Sequence, residues 1–271
     1  MRIASFLAVL FLFSADLSAL ELKGPLIQGG LIIGTAKPGS VVTFEGTRLK
    51  SLSNGTFVFG LSRNAPPTIM LKVHTEDGQI QKHLLKVKQR IYKIQRIKGL
   101  PRRKVTPAVR DFDRIKRERN LLINVRNSVS LRNNFREGFI WPVKGRISGV
   151  YGSQRILNGK PRSPHLGVDI AAPLGTTVLA SAKGTVSLVH QGMFFAGKTI
   201  FIDHGLGVGT IYIHLSKILV DKGQKVNQGQ LIGLVGKTGR ATGSHLHWGL
   251  SWNLIRLDPS LLVGPMRLKQ D

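Results

Sequence analysis

Short alternating runs separated by tight turns dominate the second half of this 271-residue chain. From residue 139 onward the sequence is rich in glycine and β-branched residues, and alternation is clear in residues 199–202 and 210–214. The segment 226–239 reads as very short strands joined by turns. Alternate residues of a strand face the same side of a sheet. The pattern therefore predicts an antiparallel β domain whose loops border a groove.

A second set of β-type runs lies between residues 22 and 88. Turn sequences such as Ser53-Asn54-Gly55 and Asp77-Gly78 separate these runs, and such sequences favour tight hairpins. We therefore predict a small all-β, sandwich-like domain over residues 20–90. The predicted fold class is mainly β, with a linking helix between the two domains.

The linker, residues 91–137, is basic and contains the predicted helix. Thr106 is a suitable N-cap and Pro107 a suitable first helical residue. Apolar residues then recur at spacings of three, four and seven, which indicates an amphipathic helix. They are Ala108, Phe112, Ile115, Leu122, Val125 and Val129. This helix is either a connector packed on a neighbouring domain or a cover that regulates access to the groove.

The first 19 residues have the layout of a secretory signal. A charged start, Met1-Arg2-Ile3, is followed by an apolar run over residues 4–13 and then by Ser14-Ala15-Asp16-Leu17-Ser18-Ala19. We expect cleavage near Ala19, with an uncleaved anchor as the alternative, and export to the periplasm or the cell surface. No later segment predicts a membrane span. Cysteine is absent, so the chain offers no disulfide and no thiolate ligand or nucleophile.

The formal net charge of +26 is concentrated in the linker region. Residues 86–136 hold 17 Lys and Arg against three acidic residues, a local charge of +14. In an exported protein this charge favours an anionic envelope polymer or a membrane surface as a partner. We do not expect nucleic acid as a partner, because no RNA- or DNA-binding module accompanies the charge.

Histidines recur in three short motifs of the last third. They are His165-Leu166-Gly167-Val168-Asp169, Tyr212-Ile213-His214-Leu215 and Ser244-His245-Leu246-His247-Trp248. Two imidazoles and one carboxylate, with further imidazoles beside them, can form an open zinc site. Residues 138–271 contain five Asp and no Glu, so histidine must carry the protons if the site is hydrolytic.

The spacing within these motifs restricts their geometry. In a straight strand, His165 and Asp169 would lie roughly 13 Å apart, too far to share one metal ion. The chain must therefore bend between them, and Gly167 permits this. His245 and His247 should point to the same side of a strand, and on spacing alone either could be a ligand. Tyr212 and His214 should likewise share one face.

One histidine lies outside this set. Asp203 and Gly205 flank His204 in a turn-like sequence, so we expect His204 to have a structural hydrogen-bonding role.

The order and flanks of the motifs resemble those of lysostaphin/LytM-type zinc metallopeptidases, which are peptidoglycan endopeptidases with a narrow antiparallel β-groove. The resemblance covers about residues 139–260, and it predicts a metallopeptidase domain over residues 138–262 with a tail at 263–271. It rests on the three histidine motifs, on Gly167-Val168-Asp169-Ile170-Ala171-Ala172-Pro173 and on Ile202-Asp203-His204-Gly205. Ser244 and Gly249 depart from the residues common in that family, at positions that are neither ligands nor catalytic.

The resemblance implies one Zn²⁺ per chain, held by His165, Asp169 and His247, with His214 and His245 as catalytic histidines. The expected reaction is hydrolysis of peptide cross-links of bacterial peptidoglycan by zinc-activated water. We expect His245 to be the general base. His214 would then stabilise the oxyanion or protonate the leaving amine.

The alternative is a noncatalytic wall-binding regulator that activates another cell-wall hydrolase. Such proteins in this family typically lack metal ligands, whereas all five site residues are present here, which favours the enzyme. The family includes enzymes that cleave glycine bridges and enzymes that cleave D-amino-acid cross-links. The export signal and basic chain favour a Gram-negative periplasm and a D-Ala to diaminopimelate bond.

Overall fold

The computed structural model describes residues 20–266, so the signal predicted over residues 1–19 and most of the tail lie outside it. The described chain is mainly β with largely antiparallel sheets, which confirms the predicted fold class. Within these residues, no helix combines the length and the apolar character that crossing a bilayer requires.

The first seven strands form two facing sheets with the orders β1-β2-β5 and β4-β3-β6-β7. The strands are β1 (Glu21–Lys23), β2 (Leu31–Thr35), β3 (Val41–Phe44), β4 (Thr47–Arg48), β5 (Thr56–Gly60), β6 (Thr68–His74) and β7 (Ile80–Lys86). Burial alternates along β6, where Ile69, Leu71 and Val73 point inward. These residues pack against Phe57 and Phe59 in one apolar cluster, as alternating strands of a sandwich should.

The linker contains one strand and two helices, β8 (Ile94–Ile97), α1 (Arg102–Val105) and α2 (Phe112–Asn127). The helix start predicted at Thr106 and Pro107 is wrong, because Thr106 caps the C-terminus of α1. The long helix begins after a 3₁₀ turn that ends at Asp111. The buried Asp111 carboxylate accepts the Ala108 backbone N–H and pairs with Arg103, and these bonds fix the chain before α2.

Most of the remaining strands form one large sheet. Its strand order is β18-β14-β15-β16-β20-β12-β9, and β21 pairs with β20. The remaining strands are β9 (Arg146–Gly149), β10 (Gln154–Leu157), β11 (Lys160–Arg162), β12 (Val168–Ala171), β13 (Thr177–Leu179), β14 (Gly184–Met193), β15 (Gly197–Gly205), β16 (Val208–Leu215), β17 (Lys217–Ile218), β18 (Lys225–Val226), β19 (Leu231–Leu234), β20 (His245–Trp252) and β21 (Ile255–Leu257). Strands β13, β19 and β17 form a smaller sheet, and β8 joins β10 and β11, pairing with β10 in parallel.

Apolar clusters cover the large sheet from several directions. One cluster contains Tyr212 and Trp248, and helix α2 adds Leu122 and Val125 to another. A third cluster is shared with the N-terminal sandwich, because Leu257 packs into it together with Phe57 and Phe59 and other residues of both segments. The sandwich and the large sheet are therefore joined by common apolar packing.

This shared cluster predicts that the sandwich and the large sheet unfold together. Leu257 is fully buried, so Leu257→Ala should cost about 3 kcal/mol of unfolding free energy. In a chain of this size, calorimetry should show one transition lowered by roughly 6–12 °C. The same change at the exposed Leu254 is the control. Two separate transitions, of which only one moves, would contradict shared packing.

His204 has the structural role expected from its sequence. It is fully buried, and its Nδ1–H donates to the Lys183 carbonyl at 2.6 Å. Its Nε2 lies 2.8 Å from the Thr210 hydroxyl. Burial lowers the pKa of His204 to about 4, so the folded protein keeps this ring neutral in mildly acidic solution.

His204 should make folding stability depend on pH. Between pH 6.5 and pH 4 the unfolded chain binds a proton at this ring and the folded chain does not, so stability falls as the pH falls. The shift in pKa corresponds to about 3 kcal/mol. Urea unfolding at pH 7 and pH 4 should show a smaller difference for His204→Gln than for the unchanged protein. If the unfolding free energy changed equally between pH 7 and pH 4 in both proteins, His204 would not be the cause of the pH dependence.

Candidate functional site

The site is built on the pairing of β12 with β20. In this register Asp169 lies opposite His247, and Ala171 lies opposite His245. Residues opposite each other in an antiparallel pair project from the same face. The His247 Nδ1 and the Asp169 Oδ1 are accordingly 2.7 Å apart. Strand pairing therefore joins two motifs that are 78 residues apart in the sequence.

His165 reaches the same point from the segment before β12. Its backbone N–H donates to the Ser153 carbonyl, and its ring Nδ1–H donates to the Val150 carbonyl at 3.1 Å. The chain bends after it, as predicted, so the His165 Nε2 lies 3.0 Å from the Asp169 Oδ1. The turn at residues 150–153 thus fixes both the position and the tautomer of this ring.

Position 167 requires glycine because a side chain would collide with its neighbours, and not because of its backbone angles. Its φ lies outside the left-handed region, but a Cβ there would approach the His247 Nε2 to 2.6 Å. At Gly149, a Cβ would come within 2.5 Å of the Asp169 Oδ2. Both glycines therefore leave room for the His247 and Asp169 side chains.

His165, Asp169 and His247 offer three ligand atoms around one point. The His165 Nε2, the Asp169 Oδ1 and the His247 Nδ1 lie 2.7–3.0 Å from one another. Because the His165 Nδ1–H donates to a carbonyl, the Nε2 of the neutral ring carries a lone pair that faces the carboxylate. A cation between these atoms would relieve the repulsion, and two imidazoles with one carboxylate form a donor set that suits zinc.

Arg155 is a member of the site that sequence reasoning missed. Its guanidinium pairs with the Asp169 Oδ2, which leaves the Oδ1 for the shared point. Its Nε lies 3.3 Å from the Gln95 Oε1 of β8, so the linker also contacts this residue. No pattern in the sequence marks Arg155, because its relation to Asp169 depends on the packing of β10 against the large sheet.

The prediction that His214 and Tyr212 share one face of the strand is wrong. Tyr212 pairs with Trp248 on the buried face and donates or accepts hydrogen bonds at Ser181. His214 has φ 66°, which interrupts the alternation of β16. Its ring centroid therefore lies 4.7 Å from that of His245 and 6.3 Å from that of His247.

The two remaining histidines present the same nitrogen to the site. The His214 Nδ1–H donates to the Thr238 carbonyl at 2.7 Å, and the His245 Nδ1–H donates to the Gly243 carbonyl at 2.9 Å. Carbonyl oxygens only accept, so the Nε2 of each neutral ring carries a lone pair. The His245 Nε2 lies 3.9 Å from the Asp169 Oδ1. Both rings can therefore accept a proton beside the three ligand atoms.

Electrostatics keep the ligand atoms ready for a cation. Burial alone would raise the pKa of Asp169, but hydrogen bonds with the His165 and His247 rings, made when the ring nitrogen that faces the carboxylate carries a proton, hold this pKa well below its ordinary value. Burial lowers the pKa of His247 to about 4, and burial together with His245 and His247 lowers the pKa of His214 to about 3. At neutral pH this site consequently presents a carboxylate and unprotonated His214 and His247 imidazoles.

A groove of about 310 Å³ opens beside Asp169, His214 and His245, which form part of its wall. The linker contributes Gln95, Ile97 and Leu100 to one part of its wall, and the segment 240–245 contributes another. Helix α2 packs on the large sheet through Leu122 and Val125, as a connector should. The linker therefore both joins the domains and forms part of the groove.

Comparison with known proteins agrees with the family resemblance of the histidine motifs. The model of Peptidase family M23 matches residues 163–259. The crystal structure of a putative peptidase M23 from Pseudomonas aeruginosa is 30% identical, with a TM-score of 0.67. That match covers 89% of this chain and 96% of that one.

Two curated relatives are similar over shorter segments. Peptidoglycan DD-endopeptidase ShyA of Vibrio cholerae is 45% identical over 128 residues, which are 46% of this chain and 29% of that protein. DD-carboxypeptidase/endopeptidase Mpg of Neisseria meningitidis is 45% identical over 84 residues, which are 31% of this chain and 19% of that protein. The chain thus matches less than a third of the length of either relative. Together with the near-complete match to the Pseudomonas structure, these similarities show that the chain belongs to peptidase family M23.

Proposed function

We propose that this protein is a zinc-dependent endopeptidase that hydrolyses peptide cross-links of bacterial peptidoglycan. The observation that carries the proposal is the convergence of three ligand atoms beside two histidine Nε2 lone pairs. ShyA and Mpg are named as endopeptidases, and ShyA as acting on peptidoglycan, which supports the reaction and the substrate. The groove beside the site can accept an extended peptide.

Zinc would be held by His165, Asp169 and His247, one ion per chain. When bound, zinc supplies a Lewis acid that polarises a carbonyl and makes water acidic enough to react near neutral pH. Arg155 keeps the Asp169 Oδ2 engaged, so the carboxylate presents a single oxygen to the ion. The Val150 carbonyl does the same for His165 by holding the ring in one tautomer.

His245 is our choice for the general base. Its Nδ1–H is held by the Gly243 carbonyl, its Nε2 accepts, and it lies at the groove. After taking the proton from water, the same nitrogen can donate it to the leaving amine. His214 is more deeply placed, and Nε2 donation to an oxyanion would require its charged form. Because burial lowers the pKa of His214, we assign it the neutral, accepting role that orients the reacting groups.

Export and the scissile bond are parts of the same proposal. The signal-like residues 1–19 support a periplasmic location, and the basic linker supports contact with anionic envelope polymers. ShyA is named a DD-endopeptidase, which supports a bond between D-configured centres, such as D-Ala to diaminopimelate.

Purified sacculi provide the direct test of this function. The zinc-loaded protein should release uncross-linked peptides that mass spectrometry identifies, and a chelator should stop the release. Restored zinc should return the activity. Intact cross-links under zinc-replete conditions would contradict the enzyme and favour the noncatalytic regulator, which could then be detected by stimulation of a second hydrolase.

Single substitutions should separate ligands from proton carriers. His165→Ala and His247→Ala should lower zinc content measured by atomic absorption, since each removes one of three protein ligands. His214→Ala and His245→Ala should keep zinc while turnover falls roughly 100-fold or more. His190→Ala, outside the site, is the control. Loss of zinc in the His214 or His245 variant would overturn this division.

A further inference from the structure

A second cavity, of about 740 Å³, lies beneath helix α2. Its wall combines apolar side chains such as Leu122 and Met193 with the guanidinium groups of Arg126, Arg240 and Arg256. Helix α2 provides Arg126 near its C-terminal end, and the other two arginines belong to the catalytic domain. Linker and domain thus build this cavity together.

Arg126 is the unusual member of the wall. The residue is only 5% exposed, and its Nε and Nη2 are buried without a hydrogen-bond partner among residues 20–266. The Phe201 ring lies 5.8 Å from its guanidinium carbon, but an aromatic face accepts only weakly. A buried guanidinium without a partner costs several kcal/mol, so a missing anion is the simplest explanation of its placement.

Nearby carboxylates do not meet this need. Glu118 lines the cavity, but its oxygens bind the Arg114 guanidinium and the Phe194 backbone N–H. Within the described part of the chain, no acidic group lies within ion-pair distance of Arg126, Arg240 or Arg256.

The cavity wall therefore carries more positive than negative charge. Burial, and then the neighbouring Arg256, lower the pKa of Arg126 to about 8. Burial also lowers the pKa values of Arg240 and Arg256 to about 10. Each shift means that the charged form is held at a disadvantage, which a bound anion would remove.

The cavity adjoins the candidate active site. Arg240 and Arg256 also line an adjoining space of about 340 Å³, whose wall includes His165, His214 and His247. Arg240 further lines the groove that contains His214 and His245. A substrate lying across the ligand atoms could therefore extend one of its branches under α2.

We propose that this cavity binds a free carboxylate of the peptide substrate, and that Arg126 determines this specificity. The proposal rests on the proposed peptidase function, because cross-linked peptides carry such carboxylates on short aliphatic chains. The apolar wall beside Leu122 suits the chain, and the guanidinium fork suits a planar carboxylate. The cavity would thus hold an anionic branch of the substrate while a peptide bond of the same substrate is hydrolysed at the histidine site.

Direct binding tests the site without depending on catalysis. Glutarate, added to the full protein at constant ionic strength, should raise the melting temperature, whereas the neutral glutaramide should not. Arg126→Met should abolish the shift and Arg126→Lys should retain part of it. Arg117→Met, the same change on the exposed side of α2, should leave the shift intact. A glutarate effect unchanged in Arg126→Met, or a response to inorganic phosphate alone, would overturn the proposal.

Stability without added anion separates a ligand-binding arginine from a structural one. Removal of an unpaired buried charge should leave the melting temperature of Arg126→Met equal to or above that of the unchanged protein. A large decrease would show that the guanidinium stabilises the fold itself and would contradict the proposed role.

Kinetics connect the site with the reaction. For a cross-linked peptide dimer with free carboxylates, Arg126→Met should raise KM about tenfold and leave kcat within about twofold. An amidated dimer should show the higher KM with either protein. Equal KM values for both dimers with the unchanged protein would overturn the assignment to substrate. If no dimer is cut but glutarate binding still requires Arg126, the peptidase proposal fails and the carboxylate site stands.

Discussion

The pairing of β12 with β20 is the constraint on which the site depends. It sets Asp169 opposite His247, and a slip of one residue in either strand would turn the side chain of that strand to the opposite face, away from its partner. Val168 and Trp248, the next pair, are buried in an apolar cluster that makes such a slip costly. Core packing and the convergence of Asp169 with His247 are therefore two consequences of one register.

The other site residues reach this pair by departures from regular structure. His165 lies on the segment before β12 and is held by the turn at residues 150–153. His214 adopts a left-handed conformation, which costs about 1–3 kcal/mol and is maintained only by surrounding bonds. The Thr238 carbonyl and the Ala196 carbonyl provide them, since they accept the ring and backbone N–H of His214. The strain brings into the site a ring that regular alternation would have buried.

The sequence predicted the strands, and the residues that converge at the site, better than it predicted the surroundings of these residues. His-x-His in an alternating run and a bend before Asp169 follow from strand geometry, and both are present. The helix start was misplaced because the Asp111–Arg103 pair overrides the local preference of Thr106 and Pro107. Contacts such as Arg155 with Asp169 are invisible in sequence, because they arise from packing between separate elements.

One metal ion, in our proposal, is held by two motifs that the fold brings together. X-ray absorption spectroscopy of the zinc-loaded protein tests this most directly. We expect one zinc per chain, bound by two imidazole nitrogens and one carboxylate oxygen of the protein at about 2.0–2.2 Å. The His247→Ala variant should lose one of the two imidazoles from the spectrum. A third imidazole ligand, or a spectrum unchanged in that variant, would contradict it.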